Sequence, residues 1–371
     1  MKTKAAVLHG PSHDAEWEIV ELDLDAPRAG QILVKWAASG LCHSDEHLRD
    51  GTLPVRVPVV GGHEGAGVVE QVGPGVDRFA KGDHVVGTFL PTCGHCRWCA
   101  TGQQQLCDLG ATILDGCLPD GSFVFHRNGQ DYGAMCMLGT FSEYSVISQA
   151  SAVKIEKDIP LNRAALVGCG VPTGWGSAVY SAKTTPGDTV VIYGIGGIGA
   201  NAVQGAVHAG ATNVVAIDPL AMKRETAEQF GATHTFADAA SALPKIQELT
   251  HGVGADHAIV TVDVVTPEVV GQAFEAIRKG GDIILTGLGE LEGLTVQLPG
   301  TVMSLFRKSV KGSLFGDSNP TYDIPKILNM YRAGQIKLDE LVTRTYKHED
   351  INQGYADLRA GENIRGIIEY A

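Results

Sequence analysis

The sequence predicts an α/β protein with a β-rich part and a doubly wound parallel-sheet part. Three observations carry that expectation. Val-rich runs cut by Gly and Pro turns fill the first stretch. From about residue 170, strand-like and helix-like runs alternate. Glycine is abundant, 47 of 371 residues, while aromatics make up only 6%, as tight turns and close backbone approaches require. A chain of this length holds about two to three domains.

Taken in order, "KAAVLHG", "WEIVELDLD" and "GQILVKWAASG" are short β-like runs. They are followed by "EGAGVVEQVGPGVDRFAKGDHVVG", Val-rich and broken at Gly-Pro-Gly and Lys-Gly-Asp. The segment "LGATILDGCLPDGSFVFHRNGQDYGAMCML" reads as a long loop. The grammar then changes. "DTVVIYGIGGIGANAVQGAVHAGATNVVAIDPLAMKRETAEQFGATHTF" runs strand, helix, strand, helix. "HAIVTV", "TPEVVGQAFEAIRKG" and "GDIILTGLG" continue the alternation, which implies a parallel sheet with right-handed crossovers. A helical stretch, "YDIPKILNMYRAG", and a short strand, "NIRGIIEY", close the chain.

Composition excludes several classes of function. Lys plus Arg number 29 against 42 Asp plus Glu, a net charge of −13, so nucleic acid and anionic membranes are disfavoured partners. No run of eighteen apolar residues offers a membrane-spanning helix, and "MKTKAAVLHG" lacks the marks of an export signal. The expected compartment is the cytoplasm, where thiols stay reduced.

That bears on "CGHCRWCATGQQQLC", which packs Cys93, Cys96, Cys99 and Cys107 into fifteen residues. Four thiolates complete a tetrahedral structural zinc site, closed to substrate. The spacing matches neither common ferredoxin run. A second metal set draws on Cys42 in "GLCHSDEH", His63 in "VVGGHEGAG" and Cys169 in "LVGCGVPTG". Cys, His and Cys with an open fourth position is a catalytic zinc pattern, although each of the three read singly is more often simply buried. Glu64 could lend a carboxylate, and Asp45 could hold the His63 ring in one tautomer.

The dinucleotide motif is "GIGGIG", Gly194, Ile195, Gly196, Gly197, Ile198 and Gly199. It follows the apolar run "TVVIY", opens a helix, and precedes Asp218 by nineteen residues. That context fits a pyrophosphate at a helix N-terminus and a carboxylate on the ribose 2′-hydroxyl, favouring NAD over NADP. Lys223 and Arg224 nearby temper the preference. Asp218 followed by Pro219 also reads as a helix cap.

Together these features resemble the zinc-dependent medium-chain alcohol dehydrogenases over essentially the whole chain. Within them the similarity is greatest to actinobacterial members that use N,N-dimethyl-4-nitrosoaniline as artificial acceptor, in "GCGVPTGWGSAVY", "RNGQDYGAMCMLGTFSEY" and "GSLFGDSNPTYDIPKIL". The resemblance implies a GroES-like catalytic domain over 1–170 and 314–371 and a Rossmann NAD-binding domain over 171–313. It implies two zinc ions per chain, with Cys42, His63 and Cys169 as catalytic ligands and Glu64 as the alternate one. Ser44 would contact the alcohol oxygen and His47 would pass its proton outward. His43 stands where many relatives place an Arg against the pyrophosphate. Lys223 and Arg365 match contacts to the adenosine ribose and pyrophosphate, and Thr173 a residue packed on the nicotinamide. Leu53, Phe89, Leu138 and Leu288 would line the alcohol pocket, and Leu288 also stands with the cofactor contacts. Read without the family, Ser44 is a helix cap, His47 a partly exposed histidine and the leucines plain core.

The function implied is reversible oxidation of alcohols to aldehydes or ketones with NAD(H), which the nitrosoaniline-dependent members hold tightly. A homodimer or homotetramer and an external electron acceptor are implied too. A thiol-adduct formaldehyde dehydrogenase shares both zinc sites and is the alternative, and a non-catalytic dinucleotide-binding relative is a further one.

Overall fold

The computed structural model describes residues 1–289 and 296–370. The chain divides into two compact units, Met1–Cys169 with Asn319–Ala371, and Gly170–Ser318.

In the second unit every strand pairing is parallel. Across the sheet the strands are His234–Phe236, Asn213–Ile217, Thr189–Tyr193, Ala255–Val260, Ile277–Leu285 and Ser309–Gly312. Counted along the chain that order is 3-2-1-4-5-6, the doubly wound arrangement whose order reverses beside its first strand. The central strand "TVVIY" is buried along its whole length, because helices cover both faces of such a sheet. Val191, Val215, Val260 and Ile283 pack there against Ile246 and Phe274 from the helices Ala239–Leu249 and Pro267–Ala276.

The first unit is β-rich, as its alternating Val runs require. Lys2–Leu8, Glu18–Leu24, Phe125–Arg127, Gln130–Ala134 and Val59–Val60 close into a barrel filled by residues such as Leu22, Val60, Leu118 and Phe125. Two of its strands come from the segment read as a long loop. They are three and five residues long, too short to show a period of two. A seven-stranded sheet runs Ala152–Ile155, His84–Gly87, Gly65–Val72, Gln31–Gly40, Arg365–Glu369 and Val342–Tyr346, with Tyr144–Ser148 also on Gln31–Gly40. The end of the chain thus returns to pair Ile367 with Gly40 and Ile368 with Ser39.

The fold class expected from the sequence, a β-rich unit and a doubly wound one, is the observed one. Among the described residues no helix is long and apolar enough to cross a membrane.

Candidate functional site: two metal centres and a dinucleotide loop

The helix His43–Asp50 begins directly after Cys42, which occupies its cap position in extended backbone. Ser44 and Asp45 lie in the first turn and His47 in the last. The reading of Ser44 as the cap is therefore corrected: the helix starts two residues earlier than that reading requires. His47 is also not partly exposed but buried, at 3%. Gly51 ends the helix in the left-handed conformation, φ 92°. The backbone N–H of Leu53 returns to the His47 carbonyl, which holds Leu53 beside the helix.

His63 and Glu64 precede the strand Gly65–Val72, and Cys169 ends the unit's first stretch. The four side chains are buried, and one ligand atom from each lies within 4.8 Å of all the others. Two sulfurs, an imidazole nitrogen and a carboxylate suit zinc. His63 Nε2 is buried with no hydrogen-bond partner. A buried imidazole nitrogen without a hydrogen bond, set among two thiols and a carboxylate, suits a metal ligand, so the residues fit zinc. With both cysteines as thiolates the ion's double charge is balanced, and a buried centre needs that balance.

Electrostatics follow the same plan. The hydrogen bond shared with Cys169 holds Cys42 well below the ordinary thiol range and pushes Cys169 well above it, so one proton serves two sulfurs. Burial opposes charge on His63, but Asp45 and Cys42 together hold it well above the usual imidazole value. Asp45 Oδ2 stands 3.2 Å from His63 Nδ1, an ion-pair distance without hydrogen-bond alignment, while Gly62 N donates to Asp45 Oδ1 at 2.8 Å. Burial drives the Glu64 carboxyl up to about 7 against the pull of Arg365. The Arg365 guanidinium pairs directly with Glu64 and is itself 5% exposed. In this structure Arg365, expected on the cofactor's phosphates, meets the Glu64 carboxylate. Sequence reasoning missed that pairing because 301 residues separate the two.

The second cysteine set also converges. Cys93, Cys96, Cys99 and Cys107 place their sulfurs within 4.8 Å of one another, and all eight cysteines of the chain are free thiols. Backbone N–H groups point at the sulfurs: Cys96 N to Cys93 Sγ at 3.2 Å, Cys99 N to Cys96 Sγ at 3.5 Å and Cys93 N to Cys107 Sγ at 3.3 Å. Donors of this kind favour the thiolate, and those from Cys99 and Asp108 bring Cys96 down to about 6. Burial takes Cys99 up to about 12. Four converging sulfurs fit a closed zinc site. Cys117 and Cys136 belong to neither set.

In the second unit, Gly194 ends the first strand at φ 88°, where an added Cβ would meet the Val262 backbone at 3.0 Å. A Cβ on Gly199 would run into Gly194 O and lie 2.9 Å from Thr261 Oγ1. Gly196, by contrast, caps the helix Gly197–His208 and faces open space, with nothing within 4 Å of its missing Cβ. Two glycines needed for packing and one facing an open cradle suit a pyrophosphate, so this loop fits NAD. The Asp218 carboxylate, 4% exposed, accepts from Ile195 N at 2.8 Å and from Leu220 N at 2.9 Å. Each oxygen keeps a lone pair for a ribose hydroxyl. Asp218 is not a helix cap, however. The following helix starts at Ala221 with Leu220 before it, and Pro219 lies in the turn. Arg224 Nη1 is spent on the carbonyls of Asp218 and Pro219, 2.8 Å each.

The remaining expected residues divide by burial. His43 is the first helical residue and half-buried, and Lys223 is half-buried in the helix Ala221–Gln229. Thr173 is buried in the helix Gly170–Gly176. Phe89 stands edge-on to the His63 ring at 5.9 Å. Leu138 is fully buried among Trp36, Val34, Phe79 and Val85, a core position. Leu288 is 41% exposed.

The chain is similar to known proteins over its whole length. The family described as "Alcohol dehydrogenase GroES-like domain" matches residues 28–157, and "Zinc-binding dehydrogenase" matches residues 197–332. Over 371 residues, all of both chains, the sequence is 61% identical to an NDMA-dependent alcohol dehydrogenase of Amycolatopsis methanolica. It is 47% identical to alcohol dehydrogenase B of Mycobacterium tuberculosis, across 100% of this chain and 99% of that one. The crystal structure of benzyl alcohol dehydrogenase from Acinetobacter calcoaceticus matches with a TM-score of 0.91 at 31% identity, covering 100% of each chain.

Proposed function

The chain belongs to the zinc-binding alcohol dehydrogenases, and from that premise we propose that Cys42, His63 and Cys169 are where it oxidises alcohols to aldehydes or ketones by reversible hydride transfer to NAD. The observation that carries this reading is the buried convergence of two thiols, an imidazole and a carboxylate already engaged by an arginine. Three donors then face the ion while Glu64 is held in reserve, which leaves a place for substrate. Cys93, Cys96, Cys99 and Cys107 would hold a second, structural zinc.

Zinc bound there supplies Lewis acidity that eases loss of the alcohol's proton, and NAD accepts the hydride. The chain's own groups do the rest. Ser44 Oγ takes the hydroxyl proton and His47 carries it outward. Three positions apart on one helix, they share a face. Asp45 fixes the His63 ring. Phe89 and Leu53 offer apolar wall that keeps water from the reacting carbon. The glycine loop takes the pyrophosphate, and Asp218 takes the adenosine ribose. The balance is one alcohol and one NAD⁺ giving one carbonyl compound, one NADH and one proton.

The relative from Amycolatopsis methanolica is NDMA-dependent by name. We extend that property to this chain: NAD stays bound through the cycle and an external acceptor reoxidises it in place. Slow release is where tight binding resides, so retention is a kinetic claim. A protein of free thiols fits the reducing cytoplasm. Assembly as a homodimer or homotetramer belongs to the same proposal and is read from its mass in solution.

The test is one preparation made without chelators and gel-filtered. It should carry near one dinucleotide per chain and oxidise an alcohol panel with N,N-dimethyl-4-nitrosoaniline and no added NAD. Nucleotide-free protein active only with NAD supplied would end the retention proposal but leave the dehydrogenase. Turnover confined to a thiol adduct of formaldehyde would move the substrate class.

A further inference from the structure

The helix Ile351–Arg359 contributes nothing to the chemistry described above, yet one face of it reaches the catalytic helix. Arg359 Nη1 lies 3.3 and 3.2 Å from the two Glu46 oxygens, and Arg49 grips the same carboxylate at 2.6 and 3.0 Å. Tyr355 lies one turn before Arg359 and so on the same face, and Asp45, next to Glu46, is the charge that acts most strongly on its phenol. The Tyr355 ring is wedged between Trp17, centroids 6.0 Å apart, and Phe141, at 6.1 Å. Trp17 is itself tied to this helix by reciprocal hydrogen bonds with Asn352, 2.9 Å each.

Two buried atoms here lack partners. The Tyr355 hydroxyl, on a residue 1% exposed, has no hydrogen bond, and neither has Asp45 Oδ2, on a residue 0% exposed. The phenol is a donor without an acceptor, and Asp45 Oδ2 has His63 Nδ1 at 3.2 Å but out of line. Orphaned buried polar groups are rare because each gives up its water for nothing, so such a pair has a reason. Phenylalanine would fill the same space with no orphan.

We propose that Tyr355 is a positioning residue for His63, acting through Asp45: its phenol donates to Asp45 Oδ2 and fixes the carboxylate that orients the imidazole. The proposal rests on the reading of Cys42, His63 and Cys169 as a zinc set. When zinc takes His63 Nε2, Nδ1 must carry the ring proton and turn it to Asp45, and a carboxylate anchored at Oδ1 by Gly62 and at Oδ2 by Tyr355 has one orientation to offer. Burial, followed by the Asp45 charge, holds the phenol well above its ordinary pKa.

The experiment compares wild type with Tyr355→Phe, both purified with zinc, by following zinc release to a chromogenic chelator. Direct outer partners of a metal-bound histidine tune metal affinity about 10- to 100-fold, and a group one layer further out should sit at the low end, on the order of tenfold. One zinc of the two should leave about tenfold faster in the variant, while the second keeps its rate and the thermal midpoint is unchanged. With cobalt in the buried set, the visible bands should shift in the variant. Release at the wild-type rate overturns the proposal, as does equal acceleration of both ions with a lowered midpoint, which would make Tyr355 a packing residue only. A wild type that holds no metal at Cys42, His63 and Cys169 overturns the site reading instead, so the two failures are distinguishable.

Discussion

Gly40 has room for a hydrogen and nothing larger. A Cβ there would run into the Glu64 carboxylate, lie 2.9 Å from Arg365 Nη2 and 3.3 Å from Glu64 Cβ. Gly40→Ala should therefore cost about 1–3 kcal/mol, read by calorimetry, and should release the buried zinc more readily than the cysteine-lobe zinc. Cys42→Ser removes a ligand without changing volume. Turnover should fall beyond roughly 100-fold while one zinc per chain remains, and an active variant with both zincs would refute the assignment. At Asp218 two effects combine. Asp218→Gly removes the repulsion of a 2′-phosphate and also the acceptor for Ile195 N, so the preference for NAD over NADP should shrink about tenfold while NAD itself binds less tightly. Equal binding of NADH and NADPH by the wild type would show that Asp218 does not read the ribose. At this scale Cys42, His63 and Cys169 were legible because two of them sit among glycines and all match a known zinc pattern. The Glu64–Arg365 pair and the orphaned Tyr355 hydroxyl were not, since each depends on a contact between distant parts of the chain.

Among elements, the four-cysteine lobe is mostly turn and 3₁₀ backbone with little apolar packing, and its cysteines are half-buried except Cys107. Metal and N–H to sulfur bonds must then do what a core does elsewhere. Gln104 ties the lobe to the start of the helix Pro320–Arg332: its N–H donates to Asn319 Oδ1 at 2.9 Å, and its Oε1 accepts from Thr321 Oγ1 at 2.8 Å. Cys99→Ser should lower the thermal midpoint by roughly 10 °C and release one zinc, with the buried ion retained. A variant melting with the wild type would make the lobe's metal dispensable. Long periodic elements were legible: the strand "TVVIY", its glycine loop and the helix after it carry their pattern locally. Short ones were not. The strands Phe125–Arg127 and Gln130–Ala134 lie in a stretch thick with Gly, Asp and Asn, and the barrel that pairs them is visible only in three dimensions. The two misplaced caps fail for a related reason. Ser44 and Asp218 have the chemistry of caps, but Cys42 occupies one cap position and the glycine loop claims the Asp218 carboxylate.

For the whole molecule, two complete ligand sets imply two zinc ions per chain, checked by elemental analysis on protein never exposed to chelator. Every cysteine ligand must lose a proton to bind, so zinc retention should decline as the medium is acidified, with protons taken up as metal leaves. Zinc content constant down to a pH where the protein unfolds would contradict the thiolate assignment. The feature with the widest reach is the return of the chain to its first unit. The strand Arg365–Glu369 pairs with Gln31–Gly40 only after Gly170–Ser318 has been made. During synthesis, then, the ribosome delivers the acidic half of the Glu64–Arg365 pair some three hundred residues before the basic half. Until Arg365 is translated, Glu64 lacks this partner. The Glu64–Arg365 contact at the metal pocket therefore forms only after the inserted unit has been made.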